Sequence, residues 1–118
     1  MPSYGEACCR PMIDAMGFGN SVIITNNTGM TSYVTNNKTG RIVPSKRVPV
    51  YSSERPLPYL YTGWELWSEI DILELQLAMR KTYEMSTLKK AQVTQLCKEH
   101  VKQFSYENIG KIMDKLLC

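Results

Sequence analysis

Two acids eight positions apart, Glu6 and Asp14, flank the segment Ala7-Cys8-Cys9-Arg10-Pro11-Met12-Ile13. A helix begins between them. Pro11 suits a first helical position, Met12, Ala15 and Met16 make an apolar face, and Gly17 or Gly19 supplies a stop, so the spacing predicts a helix over 10–17. Such a start turns unpaired backbone N–H groups, and the positive end of the helix dipole, toward whatever precedes it. That mouth suits an anion such as a diphosphate. Glu6 lies just ahead of it, close enough to accept bonds from the hydroxyls of a sugar attached to the diphosphate. Asp14, about one turn inside, can accept from the two hydroxyls of a ribose. Ionised carboxylates fit both tasks because they accept several hydrogen bonds and donate none. Spacing by itself leaves plainer readings open: Glu6 as an exposed loop acid, Asp14 as a solvated helix residue.

Other chemistries are excluded by supply. Cys8, Cys9, Cys97 and Cys118 contain no C-x-x-C spacing, and His100 is the single histidine, so a zinc centre lacks ligands. No arginine stands six positions after Cys8 or Cys9, which excludes a cysteine-phosphatase loop. Cys8 itself reads as a small buried hydrophobe or as a reactive thiol. Reduced thiols of this kind imply a cytoplasmic chain. No run approaches eighteen apolar residues and no charged start precedes an apolar stretch, so neither a membrane span nor a signal peptide is expected. The net charge of +3 is too small to imply a polyanionic partner. Lys89, Lys90, Lys98, Lys102, Lys111 and Lys115 read as solvated helix faces, and no basic stripe interleaved with aromatics points to nucleic acid.

The elements that must position the two acids follow from local pattern. At 118 residues the chain is one domain or part of a larger one. Ser21-Val22-Ile23-Ile24-Thr25 is a β-branched run without alternation, the pattern of a strand covered on both faces. Asn26 to Gly29 is a loop, Thr31 to Thr35 a single helical turn, and Arg41-Ile42-Val43 a second short strand. Two such strands joined through a turn predict a parallel βαβ edge of an α/β sheet. From Pro44 to Gly63, the prolines 44, 49, 56 and 58 with Tyr51, Tyr59 and Tyr61 predict an extended surface insert or partner-facing loop rather than a central strand. Three helices are expected next. Ser68, with Asp71 three residues on, caps the first, which aligns Leu66, Ile70, Leu73 and Leu77. Ser86 or Thr87 opens the second, carrying Val93, Leu96, Cys97, His100, Val101 and Phe104. Ser105 opens the third, striped by Ile109, Ile112, Met113 and Leu116. These stripes read as core, with His100 a core or boundary residue.

Taken together, Pro2-Ser3, Gly5-Glu6, Arg10-Pro11, Asp14-Ala15-Met16, Gly19, Val22-Ile23-Ile24-Thr25, Gly29 and Thr39-Gly40-Arg41-Ile42-Val43 resemble the C-terminal domain of family-four retaining glycosyltransferases, GT-B enzymes built of two Rossmann-like domains. A second patch, Trp67-Ser68-Glu69-Ile70-Asp71 leading to Met79-Arg80-Lys81-Thr82-Tyr83, is similar to that family's Trp-x-Glu-x-Asp helix start and its Met-Arg-x-x-Tyr end. The resemblance covers about two thirds of the chain. Ala7 and Cys9 stand where the family's loop has glycines, Cys8 at its aromatic position, and Asp14 where glutamate is usual.

The resemblance implies an incomplete Rossmann-like parallel sheet followed by three helices. Residues 1–43 would be the donor-binding α/β part, 44–64 the insert and 65–118 the helical part. It implies a nucleotide-sugar donor such as a UDP- or GDP-hexose, with Glu6 contacting the donor sugar in a catalytic role. Backbone amides near Ala7, Cys8, Cys9 and Arg10 would hold sugar hydroxyls or diphosphate, and Asp14 the ribose. Transfer to a glycan, glycoprotein or lipid acceptor would retain anomeric configuration without a metal. The family's acceptor-binding N-terminal domain, and an Arg and a Lys that clamp the diphosphate, belong upstream of this segment. The expectation is therefore a truncated or split transferase, needing a separate chain for the missing half or persisting as a non-catalytic binding or interaction remnant.

Overall fold

The computed structural model describes residues 3–50 and 59–117. Met1, Pro2, Cys118 and the centre of the Pro/Tyr-rich stretch, with Tyr51, Pro56 and Pro58, lie outside the described residues.

The chain is mixed α/β. Helix α1 (Arg10–Gly17) leads to strand β1 (Val22–Thr25), a 3-10 turn over Gly29–Ser32, and strand β2 (Gly40–Val43). β1 and β2 pair in parallel, Val22 opposite Gly40 and Thr25 opposite Val43. Strand β3 (Ser45–Pro49) then pairs antiparallel with β4 (Leu66–Ile70) in a second two-stranded sheet. Helices α2 (Ile72–Tyr83), α3 (Thr87–Lys102) and α4 (Tyr106–Leu117) follow.

The core lies where α1 is held between the parallel sheet and α3. Met12, Met16, Ile24, Met30, Val34, Val93 and Cys97 are buried there together with Cys9. Methionine suits this junction because its unbranched side chain fills irregular gaps between helix and sheet. Gly19, at φ 88°, lets α3 close in; a Cβ there would meet Thr94 Cγ2 at 2.6 Å. Thr94 Oγ1 donates to the Gly19 C=O at 3.0 Å, and the Cys97 thiol donates to the Thr39 C=O at 3.1 Å. Burial pushes the Cys97 thiol pKa up. On the other flank Arg41 of β2 fastens α2, its Nε donating to Thr82 Oγ1 at 3.0 Å.

Two sequence expectations are corrected by the second sheet. Part of the expected insert is strand β3, which continues one step further as Val50 N–H donates to the Glu65 C=O at 2.9 Å. Pro49 is tolerated because it ends a strand of a two-stranded sheet, where a missing donor costs little. The first of the three helices does not begin near Ser68: residues 66–70 are β4, and the cap is Asp71, whose Oδ1 accepts from Leu73 N at 2.8 Å. Leu66, Ile70, Leu73 and Leu77 are spaced like one helix face, yet the first two belong to a strand. What decides is pairing with β3 and with the start of the chain. Ser68 is buried, its N–H donates to the Tyr4 C=O at 2.8 Å, and Trp67 stacks on Tyr4 with ring centroids 4.2 Å apart.

The remaining caps lie where local chemistry places them. Ser86 Oγ accepts from Lys89 N, and Ser105 Oγ from Asn108 N. The apolar stripes are another matter. Val93 and Cys97 of α3 are buried, but Ile109, Ile112, Met113 and Leu116 of α4 are exposed, as are Leu73 and Leu77 of α2. The described chain is a slab with extents of 48 × 43 × 16 Å. At that thickness the outer faces of α2 and α4 have no layer above them among the described residues. The expectation that every helical stripe is core is corrected accordingly.

The turn before β4 is pinned by Glu65. Its carboxylate accepts from Thr62 N, Gly63 N and Thr62 Oγ1, and with the Thr62 amide foremost these donors lower its pKa to about 2. A depressed folded value stabilises the turn above the ordinary pKa of 4.5 and releases it as pH falls toward 2. The Thr62 and Gly63 amide resonances are thus expected to titrate together with an acidic midpoint well below 4; a midpoint near that of a free glutamate would show the turn is not formed. Met16→Ala should cost about 2–5 kcal/mol in urea denaturation. Ile112→Ser, on the uncovered stripe, should stay within about 0.5 kcal/mol of the parent.

Candidate functional site

The loop ahead of α1 lies against the carboxyl end of β1 and the turn that leaves it, and is stitched there from three sides. Ser3 N–H donates to Thr25 Oγ1 at 2.9 Å, and Thr25 Oγ1 donates back to the Ser3 C=O at 3.0 Å. Tyr4 is tied to β4 as described, and the Asn27 side-chain amide bonds Ser68 Oγ across the same seam. Glu6 N–H donates to Thr28 Oγ1 at 3.2 Å, while its C=O accepts from Gly29 N at 3.3 Å. Gly29 is required by this approach: a Cβ there would fall 1.8 Å from the Ala7 carbonyl oxygen.

Backbone strain gathers at the same place. Cys9, the residue before α1, has φ 40° and ψ 63°, and Thr28 has φ 64°. Left-handed backbone in a non-glycine residue, above all a β-branched one, costs on the order of 1–3 kcal/mol and persists where surrounding contacts over-determine it. Here those contacts are the bonds of Thr28 to Glu6, Asn27 and Thr31, and the burial of the Cys9 thiol.

The six residues singled out in the sequence fall in distinct positions. Glu6 is half-buried, and its Oε1 accepts from Cys9 N at 3.3 Å, so this carboxylate caps the helix in place of the non-capping thiol. Its second oxygen takes no hydrogen bond among the described residues. Ala7 and Cys8 are exposed, and Cys9 faces the core. Among the described residues, the N–H groups of Ala7, Cys8 and Arg10 carry no hydrogen bond within the chain. Arg10 and Asp14 lie one turn apart on the exposed face of α1.

A cleft of about 770 Å³ opens beside that face. Cys8, Arg10 and Asp14 line it from the α1 side, and Lys98 and Lys102 of α3 with Tyr106 at the start of α4 from the other. Glu6 is not among its lining residues. The structure therefore brings Cys8, Arg10 and Asp14 to one cavity and leaves Glu6 at the seam behind the helix mouth. Of the two readings of Cys8, the buried hydrophobe is corrected: this thiol is exposed, 3.7 Å from the Tyr33 hydroxyl. That hydrogen bond with Cys8 is the main cause raising the Tyr33 pKa.

Sequence reasoning did not mark Thr28, Tyr33 or the α3–α4 turn. Lys98 and Lys102 are four apart, which by itself describes any solvated helix face. Among the described residues no group of three or more His, Cys, Asp or Glu side chains could hold a metal ion, and no helix is long and apolar enough to cross a membrane.

Gly29→Ala should displace the 6–10 loop, at about 1–3 kcal/mol, because the added methyl has no space beneath the Ala7 carbonyl. Amide shifts of residues 6–10 and a thermal melt would read both effects; unchanged shifts would contradict the close approach. Comparison with protein-family models, with curated proteins and with solved structures returns no match for this chain.

Proposed function

We propose that this chain is the donor-binding C-terminal portion of a nucleotide-sugar-dependent retaining glycosyltransferase, with a Rossmann-like parallel sheet as its base. The observation that carries the reading is the loop held against the carboxyl end of β1, feeding a helix at whose start the amides of Ala7, Cys8 and Arg10 have no partner among the described residues. In open α/β sheets ligands bind at that edge, and helix-start amides suit phosphate oxygens. Arg10 adds to this. A cation in the first helical turn opposes the dipole, an arrangement that becomes favourable once an anion shares the mouth.

In this reading the diphosphate lies on the free amides beside Arg10 and the ribose on Asp14. Glu6 keeps one oxygen on the Cys9 amide and offers the other to a hydroxyl of the hexose, positioning the sugar for transfer. The left-handed backbone at Cys9 supports the likeness to the transferase loop, because the family has glycine there and glycine adopts that conformation at no steric cost. Transfer to a glycan, glycoprotein or lipid acceptor then calls for an acceptor-binding lobe, so the activity belongs to the assembled enzyme and not to this segment by itself. The site of action proposed is the cytoplasm, and no metal is assigned a role.

A second reading is a non-catalytic nucleotide-sugar-binding or protein-interaction remnant of such an enzyme. It is favoured by the uncovered stripe Ile109, Ile112, Met113 and Leu116, which exposes apolar surface that a free monomer would ordinarily bury.

Titration of UDP and GDP into the full chain, followed by calorimetry, tests the proposal. Saturable binding that Asp14→Ala abolishes, and that Glu6→Ala weakens for a nucleotide sugar more than for the bare nucleotide, is expected. No saturation at millimolar nucleotide would overturn it.

A further inference from the structure

We infer that α4 is a self-association element: its apolar stripe pairs with the same stripe of a second copy of this chain, the two helices crossing at Gly110. The inference stands apart from the nucleotide-sugar reading and involves none of the residues assigned to the donor.

Exposure is the first argument. All 12 residues of α4 are exposed. The helix is fixed at its root. Asn108 Nδ2 donates to the Lys102 C=O at 2.7 Å and Ser105 N to the same carbonyl at 3.1 Å, while Phe104 packs edge-on against Tyr33, ring centroids 4.9 Å apart. Beyond that corner Ile109, Ile112, Met113, Leu116 and Leu117 project with 40–79% of their surface in solvent. A helix this short is marginal in water, and helices in proteins draw most of their stability from packing an amphipathic face. Here the face is formed and has no layer above it among the described residues.

Gly110 is the second argument. Glycine weakens a helix interior and is accounted for where a backbone must be approached closely. Nothing among the described residues calls for it here, since a Cβ on Gly110 would meet no atom within 4 Å. By helical spacing Gly110 stands one turn from Tyr106 and Met113 and two turns from Leu117, along the edge of the stripe. A glycine at that edge gives a crossing helix a close approach to the backbone.

Charge chooses the partner. Glu107 and Asp114 balance Lys111 and Lys115, and Lys111 is paired with Glu107 at 2.6 Å. All four fall opposite the stripe by helical spacing. A helix that lies on anionic lipid gathers cations on its polar face, whereas this one is neutral. A strongly charged protein partner likewise meets no complementary charge. An identical neutral stripe fits with no charge to desolvate, and two-fold pairing of one patch with itself is the commonest form of association. One helix pair makes a small interface, at or below about 1,200 Å² in total. The dimer is therefore reversible, and dilute solutions hold a monomer whose stability does not depend on the stripe.

The test is sedimentation velocity of the full chain under reducing conditions across micromolar concentrations, beside Ile112→Glu and Gly110→Ala. The parent should shift reversibly from monomer to dimer. Ile112→Glu should raise the dissociation constant about tenfold or more. Gly110→Ala should raise it severalfold while circular dichroism shows equal or greater helix content, so that weaker pairing is not the result of a weaker helix. A parent that stays monomeric throughout, or a dimer that either substitution leaves unchanged, would overturn the inference. Co-sedimentation of a monomeric parent with vesicles of phosphatidylserine and phosphatidylcholine would overturn it too, and assign the stripe to a lipid surface.

Discussion

The candidate site depends on one close approach, that of the Ala7 carbonyl over Gly29. Because residue 29 has no side chain, the loop that carries Glu6, Cys8 and Arg10 lies directly on the turn leaving β1. That contact lets Glu6 bond Thr28 and Gly29 at once, and it sets where α1 begins. The thiols, the free amides and the charged face of the helix all take their positions from it. The strain at Cys9 and Thr28 is intelligible in the same terms: two residues hold unfavourable backbone because the surrounding bonds leave the loop no other course.

Behind that contact the two sheets divide the work. The parallel pair and α3 bury the methionine-rich side of α1, which fixes the axis of the helix. The antiparallel pair holds the incoming chain through Tyr4, stacked on Trp67 and bonded to Ser68. A helix gripped along its length and a leader gripped at its start leave only the short stretch from Glu6 to Cys9 to be shaped by the seam. Such preorganisation is what a binding loop needs if its amides are to stay directed outward without a ligand.

Local signals in the sequence carried well wherever the cause was local. Pro11 and the Met12–Met16 spacing mark α1, the Val22–Thr25 run marks β1, and the serines at 86 and 105 mark two helix starts. What was illegible depends on partners far along the chain. Leu66 and Ile70 continue the helical spacing of Leu73 and Leu77, and nothing within ten residues reveals that β3 and Tyr4 claim them for a strand. The α4 stripe shows the complementary limit: periodicity reports an amphipathic face but not whether a layer covers it. The site was half legible. Arg10 and Asp14 share a helix face by spacing alone, whereas the walls contributed by Tyr33 and the α3–α4 turn exist only once the chain has folded back on α1.

Cys9 combines a left-handed backbone with a side chain enclosed in the core. The two conditions pull the choice of residue in opposite ways. Glycine relaxes the dihedral but leaves a void among Met12, Met30 and their neighbours; valine or isoleucine fills the void but cannot take the dihedral. Sequence drift at this position is thereby confined to compact, unbranched side chains, a narrow corridor through which any descendant of this loop must pass.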